Sequence, residues 1–481
     1  MKQNMWISTI FLIIFSIIFL ICGDTLTYNR DLEHTAEALR KIDQMYRRVR
    51  RRAAPMRGQQ QKPSIFGRIS VAVKNSYRRV KALMNPRFYQ GDILLVQRQS
   101  QSLLQQIRSG IFKNKRIRVP SFGFGNANRT KRRVKADIAF KWNGPIPFYV
   151  DRGVPDTLIV KSLLEIQKET CLRFQQVRSA GTQSSGLRYF LGQGCSSYVG
   201  KVYDDKFQDV SIGSDCFEIG LVQHETMHAL GCFHEQSRLD RDRYVEIIQQ
   251  NIPQDKMRNF LIIDVDDGVD YNLPYDYVSI MHYSLSLFSK NGQPTTVPKL
   301  KDYMKSMGVG DRVSFLDYKF LNLHYCSQVC PRPIQCSNWG YQDPNSCTRC
   351  KCPSGFDGQY CEKVASMPGN CGQPAYKAGP QIQEINVSGF KNCYFVVTAQ
   401  PGQRIAYKLV FSYISPGYVE YCTIQNCMEF KFFKDKSVSG ARYCLKDMET
   451  VRISDNHFLM ITYNSNGTNN KATVLYKAIN F

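Results

Sequence analysis

The chain has 481 residues and a formal net charge of +24, but the charge is not evenly spread. The segment 24–132 holds 25 Lys and Arg against 6 Asp and Glu, so it carries +19 and leaves the remainder nearly neutral. The high isoelectric point therefore comes from the segment 24–132 and is not a property of the whole protein. The function of this basic segment has to be explained separately.

The first 23 residues predict a secretory signal peptide. Lys2 precedes an apolar run from Trp6 to Cys22, and Gly23 offers a small residue for cleavage. Because this run approaches the length of a short membrane span, a type II anchor is the alternative. Of 17 cysteines, 16 follow the predicted signal. Such an even, dense set indicates an oxidising compartment, so we expect a secreted, extracellular protein.

The basic segment 24–132 predicts a solvated prosegment. A nucleic-acid-binding arm is the alternative, but a secreted chain seldom meets nucleic acid, so we expect no such partner. The segment ends on Arg129-Thr130-Lys131-Arg132, which fits the RxKR signal of furin-like convertases. Cutting there would start the mature chain at Arg133, and Arg48-Val49-Arg50-Arg51 offers an earlier cut. Asn128 lies in a glycosylation sequon at the cleavage site.

Three of the chain's seven histidines, His224, His228 and His234, fall in the frame HExxHxxGxxH. On a helix the first two lie on one face, one turn apart, so both imidazoles can reach one ion. Gly231 can end the helix in a left-handed conformation and return His234 as the third ligand. Zinc with three protein ligands keeps a position for water, and Glu225 is then the general base. The alternative is a buried helix with hydrogen-bonded histidines.

This frame, continued as HExxRxDRD and followed by SxMHY, resembles the astacin metalloendopeptidases. The resemblance implies an α+β metzincin domain over 133–326, with one zinc ion on a central helix, that hydrolyses peptide bonds in extracellular proteins. It implies that Met281 forms the Met-turn and that Tyr283 binds zinc at rest and then stabilises the oxyanion; a packed aromatic is the alternative for Tyr283. Glu235 would pair with the new amino terminus. The family usually has Phe where Cys232 follows the glycine.

Residues 88–92, Phe-Tyr-Gln-Gly-Asp, resemble the FxGD motif of astacin prosegments. The resemblance implies that Asp92 binds zinc in place of water and keeps a zymogen silent, since a carboxylate is a suitable zinc ligand. The alternative is a Gly-Asp turn with no partner.

The 133–326 segment is long enough for one domain with a substantial core. We expect a mixed sheet with helices, beginning with Trp142 and a first strand at 146–149. Pro155 predicts the start of a helix with an apolar stripe, which we read as core packing. Its members are Ile159, Leu163, Ile166, Thr170 and Phe174. Residues 194–200 resemble the family's edge strand, which would bind substrate as an added antiparallel strand.

Two modules are expected after this domain. Residues 327–362 resemble an EGF-like domain, with a zinc knuckle as the alternative, and bridges must supply its stability. Residues 371–481 alternate apolar and polar side chains, which indicates a β-sandwich, and resemble a CUB domain. We expect no calcium ion in either module, a possible protein ligand on the CUB domain, and glycans at Asn386 and Asn466.

The family resemblance implies seven disulfides. They are Cys171–Cys326, Cys195–Cys216, Cys330–Cys347, Cys336–Cys350, Cys352–Cys361, Cys371–Cys393 and Cys422–Cys444. Cys232 and Cys427 are left over. The alternatives for them are an interdomain bridge between the two, two separate thiols, or a bond to another chain.

Substrate specificity is predicted from position alone. Lys299 and Arg312 lie where several astacins place a basic residue in the pocket after the scissile bond, so either would favour acidic side chains there, with an exposed, solvated cation as the alternative. The predicted function is a secreted zinc endopeptidase. The competing interpretation is an adhesive matrix protein whose protease fold is inert, and the full ligand set with Glu225 argues against it.

Overall fold

A computed structural model gives the architecture of residues 27–45, 88–113, 134–135, 141–180, 184–262, 268–367, 370–415, 421–445 and 451–480. The predicted signal peptide, both candidate convertase sites and Asn128 lie outside the described residues. None of the helices in those ranges combines the length and the apolar composition that a membrane span requires.

In the described residues ahead of the first domain there are two helices and a short strand. They are α1 (27–45), β1 (Ile93–Leu94) and α2 (Gln97–Lys113). Within α1, Leu39 and Ile42 are buried in one cluster with Tyr89 and Ile93. The same cluster contains Val199 of the first domain, and Gln99 Nε2 donates to the Val199 carbonyl, so the predicted prosegment packs onto the first domain through α1 and residues 88–99.

A six-stranded sheet forms the upper half of the first domain, in the order β1-β6-β7-β5-β3-β4. Strands β3, β4, β5 and β7 are parallel, and β6 is antiparallel to β7. The strands follow β2 (Val134–Lys135) and are β3 (Ile146–Val150), β4 (Phe174–Gln176), β5 (Gly186–Phe190), β6 (Cys195–Tyr198) and β7 (Phe207–Ile212). Strand β1 of the predicted prosegment pairs with β6, so β6 is not the edge strand of this sheet.

Helix α3 (Asp156–Glu169) packs on the sheet through Ile159, Leu163 and Ile166. The predicted continuation of this stripe is wrong: Thr170 is the extended residue after the helix, and Phe174 lies in β4. The Thr170 hydroxyl donates to the Ile166 carbonyl and accepts from the Leu172 amide, which closes the helix end.

The lower half of the first domain has few regular elements. After α4 (Ile219–Ala229) the chain forms short turns and β8 (Val245–Ile247), β9 (Gly268–Val269) and β10 (Thr296–Pro298), and it ends in α5 (Phe315–Tyr325). Helix α5 begins with a capping box, in which the Asp317 amide donates to Ser314 Oγ and the Ser314 amide to Asp317 Oδ2. The structure contains the Cys171–Cys326 and Cys195–Cys216 disulfides.

The small module that follows is held by three disulfides, Cys330–Cys347, Cys336–Cys350 and Cys352–Cys361. Its two ladders pair β11 (Tyr341–Gln342) with β12 (Cys350–Lys351), and β13 (Phe356–Asp357) with β14 (Lys363–Val364). Since the ladders are so short, the cross-links supply most of the order.

The C-terminal part is a two-sheet sandwich with disulfides Cys371–Cys393 and Cys422–Cys444. The sheets have the strand orders β15-β17-β22-β19-β20 and β16-β23-β18-β21. Burial alternates along β23 as the sequence pattern predicts. The strands are β15 (Ala375–Lys377), β16 (Gln383–Ser388), β17 (Lys391–Thr398), β18 (Gln403–Tyr413), β19 (Cys427–Lys431), β20 (Ala441–Tyr443), β21 (Arg452–Ile453), β22 (Phe458–Ser465) and β23 (Lys471–Asn480).

The two cysteines left over do not bond to each other. Cys232 is buried in the core of the first domain and Cys427 in that of the sandwich. The interdomain bridge considered for this pair is therefore wrong, because the two thiols belong to separate hydrophobic clusters.

Candidate active site

The helix α4 carries the first two histidines of the motif, and the residues from Gly220 to Ala229 are all buried. Gly231 adopts a φ of +99°, and the Cys232 amide donates to the Met227 carbonyl at 2.9 Å. Such a left-handed glycine ends a helix and reverses the chain. The turn brings His234 back, so the three imidazole ring centroids lie 4.7–5.3 Å from one another.

The three imidazoles are oriented through their Nδ1 atoms. Nδ1 of His224 lies 2.8 Å from the Ile280 carbonyl, and Nδ1 of His228 lies 2.7 Å from the Cys232 carbonyl. Nδ1 of His234 lies 2.7 Å from the side-chain oxygen of Gln90. Since these oxygens only accept, each Nδ1 is the donor, and each Nε2 turns a lone pair toward a common centre.

Asp92 completes this cluster from the predicted prosegment. Its Oδ2 lies 3.1 Å from Nε2 of His234 and 3.3 Å from Nε2 of His224, and its Oδ1 lies 3.8 Å from Nε2 of His228. Burial opposes ionisation of Asp92, but the imidazoles hold the pKa of its carboxyl well below the usual value. The positive φ of Gln90 and Gly91 forms the turn that presents Asp92 to the histidines.

The four residues fit a zinc ion. One ligand atom from each of Asp92, His224, His228 and His234 lies within 4.8 Å of the others, and all four residues are buried. Two of the central atoms, Nε2 of His228 and Oδ1 of Asp92, have no hydrogen-bond partner among the described residues. Burial also lowers the pKa of His234 to about 4, which favours the neutral imidazole that a metal needs. Three nitrogens and one carboxylate oxygen form a typical zinc donor set.

Glu225 lies in this buried centre without a hydrogen-bond partner in the described part of the chain for either oxygen. Burial raises the pKa of its carboxyl well above the usual value, and the charge of Asp92 raises it further. A carboxylate with a raised pKa beside a metal position can accept and return a proton.

Tyr283 is buried, and its ring lies edge-on to His234 with centroids 4.8 Å apart. Its hydroxyl donates to the Gln90 carbonyl at 2.6 Å. The backbone ahead of it supports the histidines: Met281 is fully buried, and its carbonyl accepts from the Glu235 amide at 2.9 Å. Tyr283 therefore lies beside the histidines, with its hydroxyl engaged by the predicted prosegment.

The side chain of Glu235 belongs to a buried charge network. Its Oε1 accepts from Arg238 Nη1 at 3.1 Å and from the Asp276 amide at 3.0 Å. Arg238 is fully buried and is also bound by Asp240 and Asp270. The role of Arg238 was not recognised from the sequence, although it is the arginine of the quoted HExxRxDRD frame.

Other contacts of the site were also missed. Gln90 orients His234, and Asp317 Oδ2 accepts from the Ile280 amide at 2.9 Å, beside the carbonyl that orients His224. The only local signal that Gln90 contacts the site is its position two residues before Asp92. No local signal points to Asp317, because this residue reaches the site from a helix far along the chain.

The predicted specificity residues lie at the surface of the first domain. Lys299 is exposed, and its ammonium donates to the Asp242 carbonyl. Arg312 is exposed and lines a cavity of about 220 Å³ together with residues of the small module and the sandwich. Asn386 and Asn466, the described sequon asparagines, are exposed on the sandwich.

Several known proteins are similar to this chain. Residues 134–326 match the sequence model of the Astacin family of peptidases. The chain is 34% identical over 405 residues to zinc metalloproteinase nas-34 of Caenorhabditis elegans, covering 82% of this chain and 65% of the relative. It is 33% identical to zinc metalloproteinase dpy-31 of the same nematode, covering 78% and 64%.

Among solved structures, the hatching enzyme HCE-1 of the medaka fish Oryzias latipes matches with 30% identity and a TM-score of 0.36, covering 40% of this chain and 96% of that one. The chain spans just under two thirds of the length of nas-34 and dpy-31. The family match and the two relatives point to the same conclusion as the histidine cluster. Residues 134–326 are therefore an astacin-family zinc metalloproteinase domain.

Proposed function

We propose that this chain is a zinc metalloendopeptidase of the astacin type that is made as a zymogen and cleaves extracellular proteins. The single observation that carries the proposal is the buried convergence of three imidazole Nε2 atoms with Glu225 beside them. A helix whose histidines served only its own packing would have partners for these nitrogens, whereas Nε2 of His228 has none among the described residues.

The residues divide the chemistry between them. Zinc, when bound, supplies Lewis-acid polarisation of the peptide carbonyl and activation of water. Glu225 accepts the proton of the attacking water and returns it to the leaving amine. Tyr283, once its hydroxyl is released from Gln90, can donate to the oxyanion of the tetrahedral intermediate. Strand β6 would align an extended substrate by main-chain hydrogen bonds.

Blockade by the prosegment is supported at two positions. Asp92 occupies the centre of the histidine cluster, and β1 occupies the edge of β6. Strand β1 runs parallel to β6, with Ile93 opposite Ser197, whereas the substrate is expected to run antiparallel. We propose that cleavage after Arg132 by a furin-like convertase removes this segment, and that Glu235 then receives the new amino terminus.

The flanking modules are proposed to be an EGF-like domain and a CUB domain. The three disulfides of the small module and the two-sheet topology of the sandwich support these assignments. Seven disulfides in the described chain support secretion into an oxidising compartment. Glycans at Asn128, Asn386 and Asn466, and a protein ligand on the CUB domain, belong to the same proposal.

Lys299 or Arg312 is proposed to favour acidic side chains just after the scissile bond. Cleavage of a peptide library by the processed enzyme tests this, with Lys299→Ala and Arg312→Ala assayed in parallel. If Asp and Glu are enriched just after the scissile bond and one variant loses this enrichment, the residue replaced in that variant is the one that favours acidic side chains. A wild-type profile without such enrichment refutes the proposal.

The enzymatic proposal is tested with Glu225→Gln in the convertase-processed chain. We expect stoichiometric zinc in the variant, since the ligands are intact, and a loss of protein cleavage by at least about 10³-fold. Chelation of wild type should abolish cleavage, and zinc should restore it. Retained turnover in Glu225→Gln, or processed wild type that holds no metal and leaves unfolded substrates uncut, refutes the proposal.

A further inference from the structure

The C-terminal sandwich shares a buried core with the first domain. One hydrophobic cluster contains sandwich residues such as Phe430 and Ile461 together with residues of the lower half of the first domain. Those residues are Val245, Tyr275, Tyr277, Val278, Tyr303 and Met307. Because a shared apolar core resists separation, the sandwich is packed as part of the first domain and not as a tethered module.

The polar contacts of this interface converge on the segment 302–311. The Arg442 guanidinium lies 3.2 Å from Asp311 Oδ2, and the Arg442 amide donates to Ser306 Oγ at 2.8 Å. The side chains of Arg442 and Asp311 are 4% and 6% exposed. Removing one partner of a buried pair leaves an uncompensated charge, so this ion pair strongly favours the docked position of the segment.

A second group of contacts holds the beginning of the same segment. Asp302 Oδ1 accepts from the Tyr443 hydroxyl at 2.6 Å and from Arg452 Nε at 2.5 Å. The Tyr303 hydroxyl donates to the Ser439 carbonyl at 2.8 Å. Strand β20 and its neighbours therefore hold the 302–311 segment along its length.

The opposite side of the segment lies against the active site. A Cβ added to Gly308 would lie 2.1 Å from the Tyr283 carbonyl oxygen, so the two backbones are in direct contact. A Cβ added to Gly220 would lie 2.3 Å from the Gly310 carbonyl oxygen. Gly220 belongs to the first turn of α4, the helix of His224. The segment is thus packed between the sandwich and two active-site elements.

We infer that the sandwich is a positioning part of the active site: Arg442 and Tyr443 hold the 302–311 segment, and this segment fixes the backbone of Tyr283 and the first turn of α4. The inference rests on the proposed function for its catalytic consequence. Arg442 and Tyr443 touch no reacting atom, so they act as positioning residues. Loosening them should lower kcat through misplacement of the Tyr283 hydroxyl, while the zinc ligands stay together.

The experiment compares full-length Arg442→Gln, Arg442→Lys and Tyr443→Phe with a control, Lys408→Gln, on the outward face of β18. Hydrogen exchange of the uncut chain is measured in peptides covering 302–311 and 280–285, with β16 as internal reference. We expect at least about tenfold faster exchange in both peptides for Arg442→Gln, an intermediate effect for Arg442→Lys, and no change for the control. Tyr443→Phe removes one hydroxyl and keeps the inference testable if the arginine variants do not fold.

Kinetics of the processed enzymes supply the second measurement. We expect Arg442→Gln to lower kcat by about tenfold with KM within about twofold and zinc content unchanged. Faster exchange confined to the sandwich, or wild-type kcat in a variant whose 302–311 peptide is loosened, overturns the inference. If processed wild type shows no activity, the proposed function fails, and the exchange measurement alone decides whether the sandwich holds the segment.

Discussion

Replacing Asp92 with Ala should activate the uncut chain. The carboxylate is 1% exposed, and its Oδ2 lies 3.1 and 3.3 Å from imidazole Nε2 atoms whose lone pairs face the same centre, so a zinc ion bound there would join the carboxylate to the histidines away from water. An interaction with a charged group contributes about 1.5–3 kcal/mol, so we assign about 2–3 kcal/mol to this buried carboxylate. Since about 1.4 kcal/mol is a factor of ten, the open form should rise by about 30- to 150-fold.

The remaining contacts of the predicted prosegment limit the expected gain. Strand β1 keeps its pairing with β6, and the Thr35 hydroxyl keeps its contact with the backbone of Leu95. The Tyr198 hydroxyl still donates to Asp31, which is buried in α1. We therefore expect the activity of the uncut variant to stay well below that of the processed enzyme.

The assay is cleavage of a quenched peptide by uncut chain, in a background of Arg132→Ala that blocks the convertase. Asp92→Asn keeps the shape without the charge and should give an intermediate rate. Glu37→Gln, an exposed carboxylate of the same prosegment, should match the parent. After removal of the prosegment, all variants with an intact Arg132 should have equal kcat/KM. An uncut Asp92→Ala chain within about twofold of its parent refutes the reasoning.

Three further predictions follow from buried polar contacts. Tyr283→Phe in the processed enzyme should lower kcat by about 10²-fold with unchanged zinc content, which steady-state kinetics and metal analysis check; unchanged kcat contradicts its role. Trp142→Phe removes the 2.8 Å hydrogen bond to the Ala229 carbonyl at the end of α4 and should lower stability by about 1–3 kcal/mol, measured as a lower Tm; an unaltered Tm contradicts it. Burial lowers the pKa of Lys436 from 10.5 to about 7, so the unfolded chain binds more protons between these values and stability rises with pH in that window. Lys436→Met should therefore raise the free energy of unfolding by about 1–3 kcal/mol below pH 7, with a gain that shrinks toward pH 10; a pH-independent effect in denaturant titrations contradicts it.

The sequence predicted the histidine cluster because its geometry is local. The i, i+4 spacing of His224 and His228 places both imidazoles on one face of any helix. The left-handed turn that follows requires only a single glycine, Gly231. Alternation in the C-terminal part likewise predicted a sandwich, since a strand with one buried face must repeat every two residues.

Apolar spacing did not predict the end of α3, where a side-chain hydrogen bond of Thr170 closes the helix beside a disulfide to a distant residue. The stripe assigned to α3 continued past Ile166, but the chain leaves the helix at Thr170 and is bonded at Cys171 to Cys326. Periodicity cannot detect such an end, because neither the Thr170 hydrogen bond nor a cross-link between residues 155 positions apart depends on apolar spacing.

From the sequence alone we predicted the three histidines that converge in the structure, the glutamate that lies beside them and the order of the segments. The tertiary structure decided the direction of β1 along β6, the burial of Arg238 and the attachment of the sandwich beneath the active site. The difference is physical: a helical turn restricts its own few residues, whereas a pair such as Arg442 and Asp311, 131 positions apart, is selected only when two cores pack together and exclude water from both charges.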